Sequence, residues 1–272
     1  MKSLWNVWNP RPYLQVVSDI ASEERLFDGF RRNRTYRSIV ETVSEDEGRG
    51  IFKTIADPRI HRLLNDSQAA DTIGHPRTYR FDGAMLAPTT VRYAKIVEEL
   101  AALYDDLRGV QRICEVGVGY GGQARMLCQY LQREGRPAAT YTLVDIENPL
   151  RIAKKYLENF SFENRFRYKT RSELPARPEA PYDLFISNYA FSEFNRAMQE
   201  EYLQKVILHA KRGYLLMNNG ATVNGQRASS KYGNDECMLD IELLQKIPNS
   251  RIVRDSALTA AGGYLLAFHT PN

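Results

Sequence analysis

The run Ile113-Cys114-Glu115-Val116-Gly117-Val118-Gly119-Tyr120-Gly121-Gly122 decides how this chain is read. Ile113 to Val116 read as a short strand. The glycines that follow let the backbone turn sharply and let a bulky ligand approach, and a helix is expected to begin at once. The next apolar run, Thr142-Leu143-Val144-Asp145-Ile146, ends on an acid. A carboxylate at the tip of that second strand can accept hydrogen bonds from both hydroxyls of a ribose. Together the two runs predict a nucleotide-cofactor site. Gly117-x-Gly119-x-x-Gly122 satisfies the dinucleotide pattern, so the glycines alone leave NAD and S-adenosylmethionine both open.

Outward from this stretch, short apolar runs alternate with segments of helical period, the pattern of a parallel sheet flanked by helices. Seven strands are expected, over residues 111–116, 139–145, 165–170, 182–188, 212–218, 250–254 and 263–269. Ala124, Leu127, Cys128 and Leu131 fall at helical spacing after the glycines and predict one face packed on the sheet. Met198, Tyr202, Leu203, Val206, Ile207 and Ala210 repeat that spacing between the fourth and fifth strands. The last two strands are separated by too few residues for a parallel crossover, so they should be antiparallel neighbours. The expected fold class is therefore α/β and Rossmann-like: a seven-stranded sheet that ends in an antiparallel hairpin.

Residues 1–88 differ in character and predict a mainly helical N-terminal cap over a cofactor-binding domain at 89–272. A helix is expected after Pro88 with Thr89 or Thr90 as its cap, burying Ala94, Val97, Ala101 and Tyr104. The basic run Arg31-Arg32-Asn33-Arg34 and the acidic run Glu45-Asp46-Glu47 read as solvated faces. At 272 residues the chain can bury a sizeable core, and a net charge of +4 is too small for a global nucleic-acid footprint. Three cysteines with no C-x-x-C spacing indicate neither a disulfide framework nor a zinc ribbon. The sequence holds no long apolar run and no signal-peptide core at its start, so a cytoplasmic location without a membrane span is expected.

Three features favour the methyl donor over NAD. Glu115 precedes Gly117, Gly119 and Gly121 in the E/D-x-G-x-G-x-G pattern of class I methyltransferases, where the acid lies beneath the turn and faces the ammonium of the methionine moiety. The strand Tyr182-Asp183-Leu184-Phe185-Ile186-Ser187-Asn188-Tyr189 resembles the fourth strand of that class, and the C-terminal hairpin is its architecture. More specifically, the residues from Ile113 to Gln123, Ile186 to Glu193, Ile73-Gly74-His75-Pro76 and Arg92-Tyr93 resemble the bacterial sugar O-methyltransferases associated with polysaccharide and glycoconjugate biosynthesis. The likeness runs from about residue 70 onward. It implies an S-adenosylmethionine-dependent O-methyltransferase that acts on a sugar hydroxyl. The implied cofactor set is Glu115, Gly117, Gly119, Gly121, Gln123, Asp145, Ile146, Ser187 and Asn188.

Methyl transfer is an in-line displacement, and alignment of the reactants supplies much of its rate. A sugar hydroxyl is a poor nucleophile, so a general base at the mouth of the sheet is expected. Glu193 is the first candidate because its loop leaves the fourth strand over the expected methyl position. His75, in a Gly- and Pro-bounded loop of the cap, is the second. Tyr189, Tyr93 and Asn219 are candidates for acceptor contacts. Arg77 and Arg92 would suit a phosphate on a nucleotide sugar, since guanidinium pairs with phosphate through two bonds. No metal is expected, because the rims end in Ser-Asn and Asn-Asn rather than an acidic cluster. The expected partner is a small-molecule or glycan substrate, with self-association left open. Two competing readings are an NAD-dependent sugar oxidoreductase or epimerase, against which stands the lack of a Tyr-x-x-x-Lys pair, and a non-catalytic cofactor-binding module.

Overall fold

The computed structural model describes residues 11–218, 237–253, 256, 258 and 263–270. The N-terminal part contains α1 (Arg11–Ser22), α2 (Glu24–Asp28), α3 (Arg34–Arg37), α4 (Glu45–Lys53), α5 (Pro58–Asp66) and a hairpin of β1 (Tyr79–Phe81) and β2 (Ala84–Leu86). The hairpin was not expected, although its turn, Asp82-Gly83, carries the positive φ at both positions that a tight two-residue turn demands. The acidic run does open a solvated helix: Ser44 and Glu47 form a reciprocal capping box, and Glu45 pairs with Arg49 one turn on. The basic run behaves otherwise. Arg31 is fully buried between Glu41 and Asp71, whose carboxylates supply the charge that lets a guanidinium leave water.

The remaining elements are α6 (Pro88–Leu103), β3 (Arg112–Val116), α7 (Gly122–Arg133), β4 (Thr140–Val144), α8 (Glu147–Leu157), β5 (Arg165–Lys169), β6 (Leu184–Asn188), α9 (Ala190–Glu193), α10 (Arg196–Lys205), β7 (Arg212–Met217), α11 (Asp240–Lys246), β8 (Ser250–Val253) and β9 (Tyr264–His269). Helix α6 begins two or three residues earlier than expected. Ala87 is its cap and Pro88 its first residue, where a fixed φ and a missing N–H cost nothing; Thr90 instead donates to Asp71 at 2.7 Å.

All seven expected strands form one sheet, in the order β5-β4-β3-β6-β7-β9-β8. Only β9 runs against its neighbours, pairing antiparallel with both β7 and β8. The hairpin partners are thus adjacent as expected, with the addition that the last strand sits inside the sheet. Central strands are buried on both faces, which is why they read as nearly unbroken apolar runs. Ile113, Tyr141 and Leu143 face a core shared with α6, α7, α8 and the N-terminal helices. Cys114, Val144 and Phe185 face the opposite core with α10 and α11. The strand order reverses between β3 and β6, and in such sheets ligands bind at the carboxyl ends of the strands at that reversal.

Candidate functional site

The glycine turn that follows β3 is built as its composition requires. Gly117, Gly119 and Gly121 have φ of 80°, 55° and 84°, the left-handed region where a side chain is strained. Gly117 donates to the Val144 carbonyl at 2.9 Å, tying the turn to β4, and Gly121 caps α7. A Cβ on Gly117 would stand 2.1 Å from the Ala190 Cβ, so the start of α9 can lie against the turn only because this residue is glycine.

Asp145 sits at the tip of β4 and closes the turn from the other side. Its carboxylate accepts the Gly119 N–H at 3.3 Å and the Ile146 N–H at 2.8 Å. Burial pushes its pKa up to about 6, against the lowering effect of those N–H groups. Ile146 beside it leaves 48% of its surface exposed, an apolar face beside the acid. Glu115 lies behind the turn, buried, and accepts the Tyr141 hydroxyl at 2.6 Å. Burial pushes its pKa up to about 8; the tyrosine hydrogen bond works the other way, and the Asp145 charge adds to the rise.

This elevated value has a measurable consequence. The folded chain holds the Glu115 proton at neutral pH, whereas the unfolded chain sheds it near the ordinary carboxylate value of 4.5. The unfolded state therefore binds fewer protons between those values, and the contribution of Glu115 to stability falls as pH rises from about 4.5 to about 8. Urea midpoints followed across that range should decline in the wild type and decline less in Glu115→Gln. Equal slopes would contradict a shifted Glu115.

At the end of β6, Ser187 and Asn188 behave differently. The Ser187 hydroxyl is fully buried, donates to the Val116 carbonyl at 3.1 Å and accepts the Phe191 N–H at 3.1 Å, so it locks β6 to β3 and starts α9. Both amide atoms of Asn188 are buried without a hydrogen-bond partner. Tyr189 follows with φ of 69°, an uncommon value for a bulky residue, and its hydroxyl donates to the Leu258 carbonyl at 3.0 Å. The expected loop here is the short helix α9, which ends on Glu193; its Oε1 accepts the Asn218 amide at 3.2 Å. Asn219 lies outside the described residues.

The N-terminal segment meets this rim at Arg92. Its guanidinium stands 5.6 Å from the Tyr93 ring and 5.4 Å from the Tyr189 ring, donates to Thr42 Oγ1 and the Val40 carbonyl, and leaves Nε unpartnered. Gln123 is buried on α7 and donates to the Tyr93 carbonyl at 3.5 Å, with its own oxygen unpartnered. His75 is half-exposed and lies 3.5 Å from Asp28, and Arg77 is exposed in the same loop. The structure thus gathers Glu115, the glycines, Gln123, Asp145, Asn188, Tyr189, Arg92 and Tyr93 into one region. His75 and Arg77 stand on the N-terminal segment, where His75 meets Asp28 and its carbonyl accepts Arg32 Nε.

The burial of Arg31 and Tyr36, and the placing of Arg31 over Tyr120, were not expected. Arg31 lies over the Tyr120 ring at 4.7 Å, and Val40 would be 3.2 Å from a Cβ on Gly119, so residues 31–42 cover the glycine turn. Arg31 Nη2 and the Tyr36 hydroxyl are also buried and unpartnered. Each such atom costs about 1–3 kcal/mol until something satisfies it, and polar atoms of a ligand would do so. Clefts of about 400 and 580 Å³ open along α7 and α6, lined by residues other than those of the glycine turn. Among the described residues no group of three or more His, Cys, Asp or Glu could hold a metal ion, and no helix is long and apolar enough to cross a membrane.

No protein-family profile matches this chain, and no curated protein does. Solved structures do. An O-methyltransferase family protein from Burkholderia thailandensis is 12% identical with a TM-score of 0.50, over 77% of this chain and 61% of that one. This chain thus spans about three fifths of that protein. The N-terminal domain of EvdMO1, solved in the presence of SAH and D-fucose, is 11% identical with a TM-score of 0.50, over 79% of this chain and all of that one. The same domain with SAH bound gives 13% identity and the same score over 80% of this chain and 98% of that one. With the strand order above, these likenesses identify the architecture of this chain as the Rossmann-like methyltransferase fold.

Proposed function

We propose that this protein is an S-adenosylmethionine-dependent O-methyltransferase whose acceptor is a sugar hydroxyl, with residues 1–88 acting as the cap over the acceptor. The observation that carries the methyl-donor reading is the Gly117–Gly122 turn with buried Glu115 behind it and Asp145 across it. The sugar reading rests on the resemblance at residues 73–76, 92–93 and 186–193. That a fold neighbour was solved in the presence of D-fucose is consistent with it.

The bound cofactor would supply an electrophilic methyl group on a sulfonium. Around it, Asp145 would accept from the ribose hydroxyls and Ile146 would give the adenine an apolar face. Glu115 would meet the ammonium, giving up its proton as that positive charge arrives, and Asn188 and Gln123 carry buried polar atoms without a partner. Glu193 is the proposed general base: the Asn218 amide holds its carboxylate at the rim, and it would take the hydroxyl proton as the new bond forms. Tyr93 and Tyr189, flanking Arg92, would present ring faces to the acceptor, and Arg92, Arg77 and His75 would serve an anionic or hydroxyl-bearing portion.

Calorimetry with SAH and with NADH tests the cofactor, and transfer of labelled methyl to sugar nucleotides and oligosaccharides tests the acceptor. SAH is expected to bind and NADH not; the reverse overturns the reading. Glu193→Gln should lower kcat about 10²–10⁴-fold with SAH affinity unchanged. Normal turnover in Glu193→Gln together with its loss in His75→Ala would move the base to His75.

A further inference from the structure

A buried cation stands one turn into α7. Arg125 is only 2% exposed. Its Nη1 donates to Ser67 Oγ at 3.2 Å and Gln129 Oε1 at 2.6 Å, its Nη2 to Ser67 Oγ at 3.2 Å and Met126 Sδ at 3.7 Å, and its Nε has no partner. Arg31, Arg59, Arg136 and Arg196 each pair with a carboxylate, whereas every hydrogen-bond partner of Arg125 is neutral. A guanidinium keeps its charge at any ordinary pH, so burial cannot be relieved by deprotonation. A buried charge without a counter-charge is a standing cost that an anion removes.

The cleft that opens beside Arg125 has the size and lining for such an anion. It measures about 400 Å³ and is bounded by Gln129, Gln132, Asn159, Phe160, Ser161 and Phe162. Asp66 and Arg133, also on its wall, pair with each other, so the net charge of the lining is that of Arg125. The Arg125 guanidinium stands 5.9 Å over the Phe160 ring, and the Phe160 and Phe162 rings lie 5.9 Å apart. Amides and a hydroxyl around an aromatic floor, with one buried cation, match an oxyanion carried on a ring-sized body.

We propose that this cleft is a binding site for a small phosphorylated or carboxylated ring compound, with Arg125 as its anchor. It is separate from the glycine turn and does not rest on the reading of that turn as a methyl-transfer site. The two oxyanions are distinguished by the probe: phenyl phosphate and benzoate, each titrated calorimetrically into the full chain. One of them is expected to bind saturably, one per chain, and to raise Tm. Arg125→Met should weaken that binding about tenfold or more while leaving Tm of the free protein unchanged or higher, because it deletes an unpaired buried charge. Arg92→Met should leave the binding intact. Phe160→Trp, which keeps Arg125, should report the same Kd through its fluorescence. The proposal is overturned by a lack of binding of both probes at about 10 mM, by undiminished binding in Arg125→Met, or by binding lost in Arg92→Met instead.

Discussion

Gly117→Ala is expected to abolish cofactor binding in a protein that still folds. An alanine at φ of 80° incurs about 1–2 kcal/mol of backbone strain, and the new Cβ, 2.1 Å from the Ala190 Cβ, adds about 1–3 kcal/mol of overpacking. The turn can relieve both only by moving the segment that joins β3 to β4 and α9. SAH affinity, measured by calorimetry, should fall by about 100-fold or more. Gly135→Ala is the control, because its φ is 66° but nothing lies within 4 Å of the added atom; it should lose stability without losing SAH. Ala190→Gly in the Gly117→Ala background should recover part of the affinity by removing the contact while leaving the strain. Unchanged SAH binding in Gly117→Ala would mean that the turn does not hold the cofactor.

Arg31→Met should strongly destabilise the N-terminal part of the chain. Arg31 Nε donates to Glu41 at 2.5 Å and Nη1 to Asp71 at 2.8 Å, with both acids almost wholly buried. Removing the cation strands two carboxylates, at about 3–5 kcal/mol. The damage spreads through Asp71, which also accepts the Ala87 N–H and the Thr90 hydroxyl at 2.7 Å and so fixes the start of α6. Urea unfolding should show the loss at neutral pH, and Glu41→Gln should restore part of it. A change below about 1 kcal/mol would show that the pair contributes little beyond its own desolvation.

The strands were legible because a strand buried on both faces is mostly apolar, so β3, β4, β6 and β7 stand out as apolar runs broken only by a few buried polar residues such as Glu115, Thr142 and Ser187. The glycines and Asp145 were legible for a related reason: the turn needs positive φ at fixed offsets, and few residues supply it. What stayed hidden depends on partners far away along the chain. Arg31 looked like one member of a solvated basic run, and its burial follows from acids 10 and 40 residues on. Ser187 looked free to meet a ligand, and its hydroxyl is committed to Val116 and Phe191. Two local signals were present and passed over: Pro88 as a first helical residue, and Asp82-Gly83 as a hairpin turn.

The interior position of β9 bears on how the chain reaches this state. Its pairing with β7 joins segments some fifty residues apart, so the far half of the sheet waits on a late, non-local closure. Until Tyr264–His269 docks, β7 and β8 each present an open row of backbone donors and acceptors flanked by apolar side chains, a template for another chain as readily as for this one. Synthesis from the N-terminus therefore leaves the glycine turn and its half of the sheet buildable first, and makes the last strand the step at which productive folding and aggregation compete.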